Sequence, residues 1–354
     1  VNDASTAHTL TGGMTINNTG VLNLSGIINF SGNQVTGYDY SIGNITNMGT
    51  AAWIFTGNVT TLLTGVTAGQ FRFNDDLTVN AGTFTISNNT GIVSTGSNFT
   101  LANSTALNIS GLTKPTGGIT NFPTGFAFYS IGNTTTVRYN MAGDQVITAG
   151  AGISYGNLQL LNNTKTVSGG LLTINGNLTL NAVTADFSGV DVTLIGSVSN
   201  TGTCSLSNNQ TFTMDANNTN QSLGTGATYN FNNLVIAQSV APTTSRTRTI
   251  STNITVDGNF TATNAGGSSA LLNIIDLQSN TMLDGTPSGT FSLGSNVQLN
   301  VGGATASEFQ ATLNNFTNIS LDATLANQSR VRFNNSTNGT TQIIPYQNTT
   351  GVFS

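Results

Sequence analysis

One sequence module is written twice in this chain and then begins a third time. Its first copy has four segments in order: RYN at 138–140, QVI at 145–147, YGNLQL at 155–160 and TINGNLTL at 173–180. The second copy has FTMD at 212–215, QSL at 221–223, FNNLVI at 231–236 and TVDGNFTA at 255–262. The pattern restarts with RFN at 332–334 and QII at 342–344. Because such a repeat cannot bury its apolar face alone, we expect neighbouring repeats to stack into an elongated array.

Apolar residues alternate with Asn, Thr and Ser along short segments such as Leu172–Asn175 and Phe84–Ser87. This period of two is that of a strand with one buried face, and turn pairs such as Asn-Gly and Gly-Gly separate the segments. A sandwich, a barrel or a solenoid would fit this pattern. The repeat and the turns favour an all-β fold, a parallel β-solenoid (β-helix) of short Asn/Gly/Thr-rich strands. Its coils are expected to hold about 18 to 25 residues each, with asparagine ladders at matching corners.

Residues 1–354 are predicted to form one continuous β-solenoid. Its sequence modules span approximately 53–136, 137–211 and 212–330, and residues 331–354 begin a further module. The segment Ala306 to Leu313 is the one short helix candidate.

Charge is scarce, because charged residues make up 6% of the chain and the formal net charge is -5. This acidic balance argues against nucleic-acid binding, which needs a basic surface. Two arginine pairs, Arg246 with Arg248 and Arg330 with Arg332, are interpreted as solvated strand faces. The single cysteine, Cys204, is expected to be a small buried strand residue. No apolar run is long enough for a transmembrane helix, and a start at Val1 leads us to expect a processed or excised chain outside the cell, on the cell surface.

Catalytic chemistry in β-helices needs clustered carboxylates with a base or a cation nearby. This chain has one glutamate, Glu308, and one histidine, His8. The adjacent Asp75 and Asp76 are interpreted as a turn. The pair Asp186 and Asp191 is interpreted as a corner, with a weak Ca²⁺ site as the alternative. We therefore expect no catalytic residue, no cofactor and no metal. Trp53 is interpreted as a core residue, with a sugar platform as the alternative.

Asn-x-Ser/Thr sequons are abundant, with about two dozen in the chain. Two explanations stay open. An outward Asn and Thr on either side of an inward apolar residue generate the motif without further meaning, whereas glycans would hydrate a nearly uncharged surface. The candidate glycosylation sites are Asn23, Asn44, Asn58, Asn98, Asn108, Asn177, Asn253, Asn259, Asn318, Asn335 and Asn348.

The run from Tyr155 through Lys165 to Leu180 resembles the repeats of large secreted surface adhesins and filament proteins of Gram-negative bacteria. These include type IX-secreted and filamentous-haemagglutinin-like proteins. The resemblance covers about residues 137 to 262. It implies a parallel β-solenoid, export, and a role as a stalk, adhesin or filament, and it implies no catalytic residue. The sequon density leaves an archaeal surface filament open as the alternative.

The sequence thus favours a structural, non-catalytic extracellular protein, a stalk or subunit segment of a cell-surface adhesin or filament that associates end to end. Its expected partners are further copies or neighbouring repeats, with surface glycans as additional candidates. One alternative is a carbohydrate-binding or polysaccharide-processing β-helix, which would place two or more of Asp186, Asp191, Asp215 and Arg138 in a groove. A second alternative is an outer-membrane β-barrel.

Overall fold

The protein consists of short strands that form two compact units, unit 1 (Val1–Gly176) and unit 2 (Asn177–Ser354). The computed structural model describes residues 7–10, 14–18, 27–30, 34–39, 45–47, 52–56, 58–64, 69–86, 90–111, 122–150, 152–207, 209–216, 219–265, 271–278, 280–284, 289–302, 316, 318–322 and 328–333. None of these residues is helical, so they contain no helix that could cross a membrane. The helix candidate from Ala306 to Leu313, His8's side chain and Glu308 lie outside what the structure describes.

Unit 1 contains nineteen strands among its described residues. They are β1 (Ala7–Leu10), β2 (Met14–Asn18), β3 (Ile27–Phe30), β4 (Gln34–Asp39), β5 (Ile45–Asn47), β6 (Ala52–Phe55), β7 (Val59–Thr64), β8 (Gly69–Phe73), β9 (Leu77–Val79), β10 (Thr83–Ile86), β11 (Thr90–Ser94), β12 (Asn98–Leu101), β13 (Ala106–Ile109), β14 (Phe128–Ile131), β15 (Thr136–Tyr139), β16 (Gln145–Ala149), β17 (Ser154–Tyr155), β18 (Asn157–Gly169) and β19 (Leu172–Ile174).

Unit 2 contains seventeen strands in the part that the structure describes. They are β20 (Leu178–Asp186), β21 (Val192–Leu194), β22 (Val198–Thr201), β23 (Cys204–Ser207), β24 (Thr211–Asp215), β25 (Gln221–Leu223), β26 (Ala227–Phe231), β27 (Asn233–Ala237), β28 (Arg246–Ile250), β29 (Ile254–Val256), β30 (Phe260–Ala262), β31 (Asn273–Asp276), β32 (Met282–Asp284), β33 (Thr290–Leu293), β34 (Val297–Val301), β35 (Asn318–Leu321) and β36 (Arg330–Phe333).

In the described part of the chain, a coil with all of its strands has them in three parallel sheets. In unit 1 the sheets run β1-β3-β6-β9-β12-β14, β2-β4-β7-β10-β13-β15-β18 and β5-β8-β11, with β18 also pairing β16 and β19 pairing β17. In unit 2 the first sheet runs β21-β24-β27-β30-β33-β35, the second β22-β25-β28-β31-β34-β36 and the third β23-β26-β29-β32. Strand β20 pairs β22 with its first half and β23 with its second half. Stacked parallel coils of this kind confirm the predicted β-solenoid and exclude the antiparallel sandwich.

The coils vary in length. Hydrogen bonds between neighbouring coils join residues 20 apart at Thr164 and Asp144, and 31 apart at Thr290 and Asn259. The shorter coils match the predicted length. A longer coil carries extra loop residues, such as 238–245 between β27 and β28, because insertions at one corner leave the stacking intact.

Inward side chains form an apolar column in each unit. In unit 2, Leu234, Phe260 and Phe291 pair in register and are fully buried, and the rings of Phe260 and Phe291 stack 4.9 Å apart. In unit 1, the buried Trp53 ring meets the Phe73 ring edge-on at 6.1 Å. Each buried side chain of this size contributes roughly 1.5 to 3 kcal/mol. The core interpretation of Trp53 is therefore confirmed, and that of Cys204, 3% exposed, is confirmed as well.

Buried polar side chains stabilise the corners from inside. The Nε2 atom of Gln221 donates to the carbonyl oxygens of Leu194, Ile195 and Gly196 at 3.2, 2.9 and 2.9 Å. Where the chain turns, these carbonyl groups leave their sheet and require other donors. Gln145 in unit 1 has the same role toward the carbonyl oxygens of residues 109 and 111.

Arg248 corrects one prediction. The pair Arg246 and Arg248 was interpreted as a solvated face, but Arg248 is fully buried. Its Nη2 donates to the carbonyl oxygen of Ala237 at 3.1 Å and to Oε1 of Gln238 at 2.7 Å. The inward position thus supplies a donor to a carbonyl group at the end of β27. Arg330 and Arg332 are exposed, as expected.

Two buried tyrosines cross the core of unit 1. The hydroxyls of Tyr139 and Tyr155 lie 3.1 Å apart. Tyr139 accepts a hydrogen bond from the backbone N–H of Thr148, and Tyr155 donates to the carbonyl oxygen of the same residue. Tyr139 lies in β15, Thr148 in β16 and Tyr155 in β17. The hydrogen bonds of the two tyrosines therefore join three consecutive strands through the interior of the coil.

Candidate functional site

The described sequon asparagines occupy a recurrent position at the start of strands. Asn58, Asn98, Asn177, Asn253 and Asn259 are exposed, and each precedes a buried apolar residue. This is the arrangement expected from an outward Asn before an inward side chain. Asn318 is also exposed, Asn108 is half-buried within β13, and Asn23, Asn44, Asn335 and Asn348 lie outside the described side chains.

Several of these asparagines join successive coils. The Oδ1 atoms of Asn58, Asn177, Asn253 and Asn259 accept backbone N–H groups of the next coil at 2.8 to 2.9 Å. The donors are Thr83, Ser197, Thr281 and Thr290. These hydrogen bonds join a side chain to the backbone of a Thr or Ser in the next coil, so they differ from the predicted stack of asparagine side chains. They use the amide oxygen, whereas an N-linked glycan attaches at the amide nitrogen.

The aspartates that the sequence singled out lie at corners. Asp75 and Asp76 lie in the connection between β8 and β9, and Asp75 Oδ1 accepts the N–H of Asp76 at 2.8 Å. Asp186 Oδ1 accepts both the N–H and the hydroxyl of Ser188. Asp215 accepts the N–H of residue 239 at 3.1 Å. Among the described residues, no group of three or more His, Cys, Asp or Glu side chains could hold a metal ion.

The corner between the third and first sheets of unit 2 contains a cleft of about 500 Å³. Four successive coils contribute to it. Its lining residues are Ser188, Gly189, Asn209, Gln210, Asn230, Asn232 and Asp257. None of Asp186, Asp191, Asp215 and Arg138 is among them, so the carboxylate in this cleft is Asp257.

Two amide oxygens at the cleft lack a hydrogen-bond donor. Asn209 is 1% exposed, and its Oδ1 has no partner in the described part of the chain. The Oδ1 atom of Asn230 is likewise buried and unpartnered. The amide nitrogen of Asn209 is already committed, because it donates to the carbonyl oxygen of Asn233 at 3.2 Å. Because both oxygens are buried, neither is presented to the open cleft, and each is a local cost to the fold.

Sequence reasoning missed this cleft. Its residues are single Asn, Gln and Asp side chains from different coils, and no local motif joins them. The one signal in the sequence is that Asn or Gln recurs just before strands of the first sheet, at residues 209–210 before β24 and at residue 232 before β27.

Lys165 is a buried cation in unit 1. Its Nζ donates to the carbonyl oxygens of Met141, Gly143 and Asn162 at 3.3, 2.8 and 2.7 Å. Burial lowers the pKa of Lys165 to about 8, and the negative charge of Asp144 opposes this shift. Three carbonyl acceptors around one ammonium group indicate a structural role at a corner rather than a catalytic base.

Comparison of the chain with protein-family models, with curated proteins and with solved structures finds no match in any of the three.

Proposed function

We propose that this protein is a structural, non-catalytic extracellular protein, a stalk or subunit segment of a cell-surface adhesin or filament. The single observation that supports this most directly is the stack of parallel coils in each unit, with apolar columns inside and asparagine hydrogen bonds between coils outside. Coils of this kind can be added one after another with the same strand pairing and the same packing, which suits an extended stalk or filament. The resemblance to secreted bacterial surface repeats agrees with this function.

End-to-end association is part of the proposal. In the last described coil, the apolar Ile319 and Leu321 of β35 are only half-buried, whereas their partners Phe291 and Leu293 in β33 are 0% and 1% exposed. In the described part of the chain, β35 pairs only with β33. An uncovered coil exposes both apolar side chains and strand edges, and both favour addition of another coil.

Sedimentation velocity of the full chain over a range of concentrations tests this association. We expect concentration-dependent oligomers that Ile319→Lys weakens strongly, because the lysine charge would be placed against the incoming coil. Ser320→Lys is the matched control, since Ser320 lies on the exposed side of the same strand. A chain that remains monomeric at high concentration, or equal association of both variants, would contradict end-to-end assembly.

Glycosylation is a further part of the proposed surface role. The asparagines at strand starts are exposed, and attached glycans would hydrate a surface with few charges. Intact-mass measurement of native material should then exceed the mass of the bare polypeptide by glycan increments. A native mass equal to 36.4 kDa would rule glycosylation out.

A further inference from the structure

The side chain of Asn98 is not used by the fold in the way that other exposed sequon asparagines are. Four of these use the side-chain oxygen to accept a backbone N–H group of the next coil, namely Asn58, Asn177, Asn253 and Asn259. Within the described part of the chain, the side-chain amide of Asn98 makes no hydrogen bond, whereas its backbone N–H donates to Oδ1 of Asp76 at 2.9 Å. The backbone at Asn98 is therefore held in place, and its exposed amide is free to carry a modification.

An aromatic ring lies beside Asn98 on the outer surface of unit 1. Strand β12 pairs in parallel with β14, and Asn98 and Phe128 are register partners. Phe99, which follows Asn98, is buried, whereas Asn98 is exposed and Phe128 is 72% exposed. The side chains of Asn98 and Phe128 thus share the outward face of two neighbouring strands, which lie about 4.8 Å apart.

The four other asparagines have no such ring beside them. The residues of the next coil that bond to their side chains are Thr83, Ser197, Thr281 and Thr290. Hydroxyl side chains are small and well hydrated, whereas an exposed phenyl ring gains when a neighbour covers it. Among these five positions, only Asn98 combines an uncommitted amide with an adjacent aromatic ring.

A sugar attached at Asn98 would fit the exposed ring. The face of a phenyl ring carries partial negative charge, and the C–H groups on one face of a pyranose are weakly positive. A sugar stacked in this way removes apolar surface of Phe128 from water while its hydroxyl groups stay hydrated. Because the sugar would be tethered to the neighbouring strand, the contact forms within one molecule and needs no free ligand.

We propose, on the basis of the glycosylation proposed above, that Asn98 carries an N-linked glycan whose first sugar packs on the ring of Phe128. In the transfer step, Nδ2 of Asn98 forms a bond to the anomeric carbon of an activated glycosyl phosphate. The bond from that carbon to the phosphate oxygen breaks, the phosphate leaves with the electron pair, and the amide loses one proton. The attached sugar then covers the ring that the fold leaves exposed.

A single sugar attached chemically to the full chain tests the packing. The variant Asn98→Cys is alkylated with an iodoacetamide derivative of N-acetylglucosamine, while the buried Cys204 is protected in the folded chain. We expect ring-current upfield shifts of the sugar C–H signals in proton NMR spectra, and nuclear Overhauser contacts from these protons to the Phe128 ring. Phe128→Thr should abolish both, because it gives position 98 the same neighbour that Asn58 has. The matched control carries the same sugar on Asn58→Cys and should show neither effect.

Two results would overturn the packing on Phe128. They are sugar signals at position 98 that match those of the control at position 58, and upfield shifts that persist in a folded Phe128→Thr variant. Should Phe128→Thr fail to fold, the comparison between positions 98 and 58 still decides, because both of those proteins keep Phe128.

Peptide mapping of native material by mass spectrometry tests the modification itself. We expect a glycan on the peptide that contains Asn98. Glycans on other sequons together with a bare Asn98 would overturn the assignment of this site and leave the proposed glycosylation of the surface intact. Native material without any glycan would overturn both.

Discussion

At the scale of single residues, the fold depends on polar side chains placed inside the coils. Gln221 and Arg248 in unit 2 and Gln145 and Lys165 in unit 1 are buried, and each donates to corner carbonyl groups. A turn in a solenoid removes carbonyl groups from the sheet ladder while keeping them away from water. A side-chain donor that points inward therefore supplies the hydrogen bond that a neighbouring strand would otherwise donate to these carbonyl groups.

Lys165 gives the stability of unit 1 a predictable pH dependence. Its pKa is about 8 in the folded chain, below the ordinary value of 10.5, so between these values the unfolded chain binds a proton that the folded chain lacks. Stability conferred by this site therefore rises with pH through that window, at up to about 1.4 kcal/mol per pH unit. Below pH 8 the full cost of burying the charge is present.

Urea unfolding of wild type and Lys165→Met between pH 7 and pH 9.5 measures this effect. The difference in unfolding free energy between the two proteins should shift in favour of wild type as the pH rises above about 8. Other titrating groups cancel in that difference. Parallel pH profiles would show that Lys165 has an ordinary pKa in the folded chain.

At the scale of structural elements, exposed asparagine side chains join one coil to the backbone of the next. The variant Asn259→Ala removes the acceptor for the N–H of Thr290, and we expect a loss of about 0.5 to 1.5 kcal/mol in unfolding free energy. Asn259→Asp keeps an acceptor oxygen in place and should retain most of the stability. An Asp variant as unstable as the Ala variant would argue against the hydrogen bond as the cause.

Two neighbouring coils of unit 2 turn through residues with a left-handed backbone. One turn lies in the middle of β20 and the other directly follows β22. Ala182 has a φ of 48° and its neighbour in the next coil, Gly202, has a φ of 73°. Because glycine adopts this conformation without a Cβ penalty, Ala182→Gly should raise the unfolding free energy by roughly 0.5 to 1 kcal/mol. Gly202→Ala, whose Cβ would lie 3.4 Å from that of Ala182, should lower it by about 1 kcal/mol. Thermal or urea unfolding measures both, and equal effects of the two changes would refute the strain argument.

The strands were predictable from the sequence because the alternation of apolar and polar residues is visible within each short segment. In Leu172–Ile174, for example, the two apolar residues are buried and the threonine between them is half-buried, as the alternation predicts. Arg248 was not predictable from the same rule, because alternation assigns a charged residue to the outside and the unpaired corner carbonyls appear only once the coil closes. The cleft required the register between coils of unequal length, which no sequence pattern supplies.

At the scale of the whole molecule, the repeated sequence module is longer than the structural period. Tyr139 already pairs with Leu160 in the next coil, so the module at 137–211 contains several coils. The module boundaries and the single body over 1–354 stay predictions. The repeated letters did identify which residue types stack between coils, namely apolar residues that point inward and amide residues at the corners.

Scarce charge predicts a stability that responds weakly to salt. With 6% charged residues, the folded state depends mainly on apolar columns and hydrogen-bond ladders. Surface ion pairs contribute little and are screened within about 8 Å at physiological salt. The unfolding free energy should therefore change by less than about 0.5 kcal/mol between ~0.05 and ~0.5 M NaCl. Chemical unfolding at several NaCl concentrations measures it, and a change of several kcal/mol would indicate an ionic network.

The tyrosine pair in the core of unit 1 provides an optical reporter. Burial raises the pKa of Tyr139 to about 12 and that of Tyr155 well above its ordinary value of 10. Exposed phenols ionise earlier and absorb in the near ultraviolet as tyrosinate, so these two rings stay spectroscopically silent during an alkaline titration until the coil opens. Tyr229 is a third such phenol, in unit 2, because burial raises its pKa well above 10 as well. The delayed absorbance of these tyrosines would mark the pH at which the interiors of the two units meet water, with no label attached to the protein.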